Sequence, residues 1–567
     1  MTPLGTGFRP AGKLGIAQGL FVLWICALAL FPGQWTMPVT DRDEARYSQA
    51  ATQMMETGDY VDIRFQEDPR YVKPAGIYWM QVASTQPFGG PDAPIGAYRI
   101  PSFLGVLLTS LVTAMIGARA FGGAAGALAG VLLSLTLLAG ADARMAKTDS
   151  MLMLTGTLSS LALFQILVQP KGSPARQFRG WPLVFWLANG LAVLIKGPII
   201  SIMTVLTILF YVAFTRDWRA LRRLRPLPGL LVFALVGFSW IALITFQTEG
   251  EFLRESVGHA FLGKVAEGDD DHGGWPFYHT SMLAVMFWPG TALLGLGVAA
   301  AWVRRREPAM VFLLSWLVPF FVVYEIVGTK LPHYVLPVYP ALALLCGLGV
   351  KEAPRLLSGF GGKLVHGLFL LIFILGCAAL AGGLWYGVQD LEGEMTVWIW
   401  ATIGTLIAAA LASILFLRKP SFSGATYAAL PIVAFYAVFG GVALPRFEPM
   451  WPSHGIWQIA QRIEGCERIN AATAGYREPS NVFYLGTKTE LTDGEGAAAF
   501  LRRNRRCGLA VVEAREMETF TAAYGRPVRS LGTVRGTNVS KGRAMELQLL
   551  VAEDSPLRLG DTRQGRL

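Results

Sequence analysis

Charge is scarce in this chain of 567 residues. Charged side chains make up 16% of it and hydrophobic ones 53%, whereas a soluble protein carries about a quarter charged residues. That balance excludes an ordinary soluble enzyme and a disordered chain. Cysteine is scarce too, with 5 in all, which excludes a scaffold built on disulfides. Cys26, Cys346 and Cys377 lie inside apolar runs and read as core filler, and no zinc-type Cys/His spacing occurs. Cys466 and Cys507 stand in the one polar region and can pair if that region faces an oxidising compartment. No internal repeat or low-complexity tract is evident. The net charge of +10 resembles a nucleic-acid signature. Much of the Lys and Arg, however, lies in short loops between apolar runs, where it sets membrane orientation, so no nucleic-acid partner is expected.

Apolar runs recur along the chain. A helix needs about 20 apolar residues to cross the bilayer core, and about thirteen such runs fall at 14–33, 98–119, 121–140, 149–168, 181–195, 198–214, 228–246, 280–301, 308–327, 333–350, 364–387, 396–416 and 426–444. The first lacks a small-residue cleavage site and reads as an uncleaved anchor. With Arg9 and Lys13 placed in the cytoplasm, the Arg-rich, acid-poor loops 171–180, 216–225, 304–306, 351–363 and 418–419 fall on the cytoplasmic side, and most Asp and Glu fall outside. Three outer segments are long: about 33–97, about 246–280, and everything after 445. Residues 446–567 have ordinary polarity. Short apolar strands (508–512, 547–551) alternate there with helical stretches (496–505), which predicts a small α/β domain outside the membrane. The fold class expected is a polytopic α-helical membrane protein, domain 1–445, with a C-terminal extramembrane α/β domain, 446–567.

Chemistry-bearing residues gather in the outer segments. Asp43, Glu44 and Arg46 follow the first run directly, ahead of a helical pattern at Tyr47, Ala51, Met54 and Met55. Acids there stabilise a helix N-terminus; alternatively they form a carboxylate pair at the mouth of a cavity, able to orient an acceptor or stabilise an oxocarbenium-like centre. Tyr71 and Lys73 lie in Arg70-Tyr71-Val72-Lys73-Pro74. Lys73 reads either as an interfacial anchor or as a ligand for a lipid phosphate. Arg144, Lys147 and Asp149 join the third and fourth runs, and Asp149 also suits an N-cap. Lys196-Gly197-Pro198 breaks two runs at the same surface, where a helix-end charge is the plainer reading. Asp269, Asp270, Asp271 and His272 invite a metal reading but match no specific metal spacing, and a solvated acidic turn accounts for them. Glu325, Lys330, His333, Tyr334 and Tyr339 cluster at the outer end of two runs, where ionisable groups are costly and point to function. Every one of these clusters lies on the outer side. Decoration of independent helix ends would populate both faces, so one outward site is expected, combining carboxylates with cations and suited to a substrate with a phosphate leaving group.

These residues carry a resemblance to glycosyltransferase family 39 of the GT-C superfamily, in particular to bacterial 4-amino-4-deoxy-L-arabinose lipid A transferases, relatives of the protein O-mannosyltransferases. Asp43-Glu44-Ala45-Arg46-Tyr47 resembles the family's Asp-Glu-x-Arg-Tyr signature, and Arg70-Tyr71-Val72-Lys73-Pro74 resembles its Arg-Tyr-Phe-Glu-Lys-Pro segment. Asp149, Lys196-Gly197, the segment from Asp271-His272 to Tyr278, and Lys330-Leu331-Pro332-His333-Tyr334 fall in the family's order. The plan of thirteen spans with an outer α/β domain is also similar. The resemblance implies a sugar on a polyprenyl phosphate as donor, Asp43 as the catalytic carboxylate with Glu44 and Asp149 beside it, and Lys73 on the donor phosphate. Arg46, Tyr71, Arg144, Lys147, Lys196, His272, Lys330, His333 and Tyr334 would line the same cavity. Val72 stands where the family has Glu, so the use of a divalent metal is open, and no cofactor is expected to be required. The activity expected is transfer of a sugar to lipid A, lipopolysaccharide core or another envelope acceptor, at the periplasmic face of a bacterial inner membrane. Protein O-glycosylation is the alternative among enzymes. A lipid-linked sugar transporter or flippase is the alternative of another class, although transporters place ionisable groups near the midplane on broken helices.

Overall fold

The computed structural model describes residues 10–168, 180–254 and 274–560. Helix dominates up to Ala443, and every predicted apolar run coincides with helix there. Seven helices are long and apolar enough to cross a membrane: Ile95–Phe121, Asp149–Leu167, Pro308–Ile326, Pro332–Leu356, Phe360–Asp390, Val397–Leu417 and Phe422–Ala443. Pro226–Gly237 and Ser239–Gln247, bent by 45° at their junction, make an eighth if taken as one span. The shorter apolar helices Ile16–Leu30, Gly123–Ser134, Trp181–Lys196, Ile199–Thr215 and Thr291–Arg304 occupy the remaining predicted runs.

With lipid as solvent, helices associate through close packing of small residues. The contact of Ile95–Phe121 with Gly123–Ser134 shows this: a Cβ on Gly117 would lie 2.6 Å from the Gly126 Cα, and one on Gly126 would lie 2.3 Å from the Ala114 carbonyl oxygen. Any larger residue at either position would force the two backbones apart.

The segment between the first two apolar helices is ordered. It contains the helices Asp43–Thr57 and Gly76–Thr85 and a two-residue strand pair, Arg64–Phe65 with Asp68–Pro69. The predicted helical face is buried as expected: Tyr47, Ala51 and Met54 pack with Ile63, Ile77, Tyr78 and Tyr98. Trp240 joins them, and its indole N–H donates to the Val61 carbonyl at 2.9 Å.

The C-terminal portion forms a five-stranded mixed sheet in the order Glu490–Thr492, Asn470–Ala474, Gly508–Glu513, Arg543–Ala552, Val528–Asn538. The first three strands run parallel and the last two pairings are antiparallel. The helix predicted at 496–505 is found at Gly494–Arg503, with the Asp493 side chain capping it. Cys466 and Cys507 form a disulfide. This domain docks on the first loop. Val39 N–H donates to the Tyr484 hydroxyl at 2.9 Å, and the Gln49 and Gln66 side chains reach Thr487 and Thr489. Half-buried Asp41 accepts from the Tyr476 hydroxyl at 3.0 Å and from Ser480.

Candidate active site

The site is shaped by a fully buried ion pair that the sequence alone did not single out. All five N–H groups of Arg99 are used. Nε and one Nη2 hydrogen meet the Glu44 carboxylate at 2.7 and 3.0 Å. The rest meet the carbonyls of Gln34, Met37 and Pro38 at 3.1, 2.6 and 2.9 Å. Glu44 also accepts from the Thr40 N–H and hydroxyl and from the Ala146 N–H, each at 2.9 Å. Burial opposes its ionisation, but the Arg99 charge and these hydrogen bonds outweigh burial and hold the carboxyl below the usual range. Glu44 and Arg99 therefore lock the first loop onto the helix Ile95–Phe121 and onto the turn 143–148. The expected carboxylate pair separates: Glu44, predicted to be catalytic, is 0% exposed with its acceptors filled, and its neighbour alone faces outward.

That neighbour is Asp43. It is exposed, and its side chain makes no hydrogen bond or ion pair among the described residues. The chain enters this helix through Arg42 at φ 63°, ψ −102°, a conformation costly for any residue but glycine. Lys147, on the turn before Asp149–Leu167, lies within electrostatic reach of Asp43. Burial disfavours the Lys147 ammonium, but Asp142, Asp149, Asp43 and Glu44 more than offset this and raise its pKa. Burial, with Asp149 adding to it, pushes the Asp142 carboxyl up to about 6. Lys196 touches Asp149. The lysine ends the helix Trp181–Lys196 and the aspartate begins Asp149–Leu167, so each charge also meets the favourable end of a helix. His333 lies within electrostatic reach of Asp149, Lys196, Lys147 and Asp43. The Tyr334 ring lies 5.0 Å from that of His333 and 5.5 Å from that of Tyr324. Residues from four separate segments thus gather in one polar cluster.

Other expected members are placed differently. Arg144 is not part of this cluster. Its guanidinium donates to the carbonyls of Ala29, Pro32 and Gly140 and lies 5.0 Å from the centre of the Tyr436 ring, which seats the end of the first helix. The Tyr71 hydroxyl donates to Asp62 at 2.9 Å, and its ring packs on Phe252. Lys330 donates to the Glu325 carbonyl at 2.6 Å, beside buried His279. Arg46 lies near Asp43, Arg42, Arg70 and Glu478. Lys73 stands half-buried just ahead of the helix Gly76–Thr85. His272, with Asp269 to Asp271, lies outside the described residues. Arg99, Asp142 and His279 went unmarked in the sequence, although a charge inside an apolar run was the available signal for Arg99. A separate cavity of about 250 Å³, lined by Leu128, Leu132, Phe373 and Val433 among others, is apolar and takes in no member of the charged group.

The described residues thus form a polytopic α-helical protein of membrane type with a C-terminal α/β domain. Comparison with known proteins agrees. Residues 72–242 match the family model described as dolichyl-phosphate-mannose-protein mannosyltransferase. The chain is 30% identical over 359 residues to the undecaprenyl phosphate-alpha-4-amino-4-deoxy-L-arabinose arabinosyl transferase of Pseudomonas paraeruginosa, covering 61% of this chain and 64% of that one. It is 30% identical over 341 residues to the enzyme of the same name from Pseudomonas aeruginosa, covering 60% of each. The chain thus spans less than two thirds of the length of these relatives. The crystal structure of ArnT from Cupriavidus metallidurans bound to undecaprenyl phosphate superposes with a TM-score of 0.74 over 94% of this chain and 97% of that chain, at 20% identity. The fold is therefore that of ArnT, and the sequence is similar to aminoarabinose transferases over about 60% of this chain.

Proposed function

We propose that the protein is an inverting glycosyltransferase of the bacterial inner membrane, crossing it thirteen times and working at the periplasmic face. It moves a sugar from a polyprenyl-phosphate donor to lipid A, lipopolysaccharide core or another envelope acceptor. The observation that carries this reading is the Asp43 carboxylate, unpaired among the described residues and within electrostatic reach of Lys147 and His333, which also sense the Asp149–Lys196 pair. In the proposed step an acceptor oxygen attacks the anomeric carbon from the face opposite the phosphate. The carbon–oxygen bond to the donor phosphate breaks, and the phosphate leaves with the electron pair. Asp43 orients the acceptor and takes its proton when the acceptor is a hydroxyl; an acceptor phosphate needs no base. Lys147, Lys196 and Lys73 neutralise the departing phosphate, whose polyprenyl ester is already a good leaving group, so positioning supplies much of the rate. The charge needed comes from these side chains, and no cofactor is invoked.

Replacing Asp43 by Asn should reduce transfer by about 100-fold or more, the usual worth of a positioned acid or base, while leaving the fold intact. Mass spectrometry of lipid A and core oligosaccharide from cells carrying each variant reads this as loss of a sugar-sized mass. Wild-type modification in the D43N variant would overturn the assignment. Sugar on periplasmic proteins in place of lipid A would favour protein O-glycosylation, the reading favoured by the description of the family matched at residues 72–242. Flux of lipid-linked sugar without transfer would make the protein a transporter.

A further inference from the structure

The mouth above Asp43 is assembled from two parts of the chain far apart in sequence. The loop after the strand Asn470–Ala474 carries Arg477 and Glu478. Glu478 is buried and accepts from the Asn538 side chain at 2.9 Å, which ties this loop to the turn between Val528–Asn538 and Arg543–Ala552. That turn meets the first loop, where Arg42 donates to the Ser540 carbonyl at 3.3 Å. Glu478 in turn lies within electrostatic reach of Arg46. The loop 475–478 also occupies the switch point of the sheet. From Asn470–Ala474 the chain leaves to the outer strand Glu490–Thr492 on one side and returns to Gly508–Glu513 on the other. Sheets of this kind bind ligands outside the carboxyl ends of such strands.

The mouth carries more basic than acidic side chains. The guanidinium of half-buried Arg46 makes no hydrogen bond or ion pair among the described residues; Arg70 and Arg42 crowd it, and Asp43 and Glu478 offset them in part. Arg477 and Lys541 are exposed and likewise unpaired among the described residues. Like charges held together without partners destabilise one another until an anion joins them. Arginine suits phosphate in particular, because its planar fork matches two phosphate oxygens.

We infer that this mouth binds the phosphate groups of a glycolipid acceptor, with Arg42 and Arg46 contributed by the first loop and Arg477 and Lys541 by the C-terminal domain. The inference rests on the transferase reading for the existence of an acceptor, and it adds that the C-terminal domain supplies half of the acceptor site. The acceptor's phosphates anchor at the rim while its reacting oxygen reaches down to Asp43.

The test uses the full chain in nanodiscs with the R477E/K541E double variant. The control is R526E, which reverses an exposed charge just before the strand Val528–Asn538, at the end opposite the mouth. Binding is measured to vesicles holding bis-phosphorylated lipid A, its dephosphorylated form, or phosphatidylglycerol at matched charge. R477E/K541E should bind the phosphorylated glycolipid about ten-fold more weakly, and R526E as wild type does. In the transfer assay the acceptor KM of R477E/K541E should rise by about the same factor, with kcat and the donor KM unchanged. Wild-type binding by R477E/K541E, alongside normal transfer, would overturn the inference and leave the transferase reading standing. Phosphatidylglycerol bound as tightly as lipid A, and lost equally in the variant, would overturn it in favour of a general membrane-surface patch. Absence of transfer by the wild-type protein, with the binding difference intact, would sink the transferase reading while the phosphate site stands.

Discussion

Replacing Glu44 by Gln separates structure from catalysis at the site. The substitution keeps the shape of the side chain and removes its charge, so the fully buried Arg99 loses its counter-ion. One carboxylate oxygen receives Arg99 Nε and the Ala146 N–H; the other receives Arg99 Nη2 and both Thr40 donors. A carboxamide must turn its NH2 toward one of these sets, and the gentler choice still sets two donors against it. Each lost hydrogen bond to a charged group costs about 1.5–3 kcal/mol, which agrees with the ~3–5 kcal/mol for breaking a buried pair by removing one partner. Thermal unfolding of the purified protein should therefore show E44Q strongly destabilised, with activity falling only as the folded fraction falls. D43N should show the opposite pattern, wild-type stability without activity. Because Glu44 has a depressed pKa when folded, its contribution is present above the ordinary carboxylate value and fades as pH drops below it. A folded, thermally normal but inactive E44Q would refute the structural role and return Glu44 to the catalytic group.

Asp41 behaves in the opposite sense. Burial pushes its pKa from 3.8 up to about 6, so the docked first loop prefers the protonated form, and this preference is lost as pH rises through about 6. At pH 7.5 the ionised side chain costs up to about 3 kcal/mol. Unfolding followed from pH 4 to 8 should show wild type weakening between about pH 4 and 6 and levelling off above, with D41N lacking that step; parallel curves would count against it. Lys196→Met leaves Asp149 without the cation that touches it and should cost ~3–5 kcal/mol. Adding Asp149→Asn should recover much of that loss in thermal unfolding, and a double variant no more stable than K196M would show that the pair is not coupled.

The convergence of Asp43, Lys147, Asp149, Lys196 and His333 was legible in the sequence, because ionisable groups beside apolar runs are costly and all of these fell on one side. Their division of labour was not. Asp43 and Glu44 are adjacent in sequence, but on a helix neighbours point about 100° apart, and only the fold reveals which direction meets Arg99. Arg144 lies in the same short stretch as Lys147, yet its partners are the carbonyls of Ala29, Pro32 and Gly140, two of them more than a hundred residues away. Arg99 was hidden because counting apolar residues over a span averages a single charge away. In the C-terminal domain the alternation of strand and helix was readable from period and polarity, with ends displaced by up to four residues. The order of the strands depends on contacts distant in the chain, which carry no local signal.

The docking of Asp41 against Tyr476 and Ser480 joins positions about 435 residues apart. A growing polypeptide therefore carries its first loop uncovered until Tyr476 and Ser480 have been translated and folded against it. A chain truncated before Tyr476 would keep all seven of the membrane-length helices found among the described residues and still leave Asp41 without these partners.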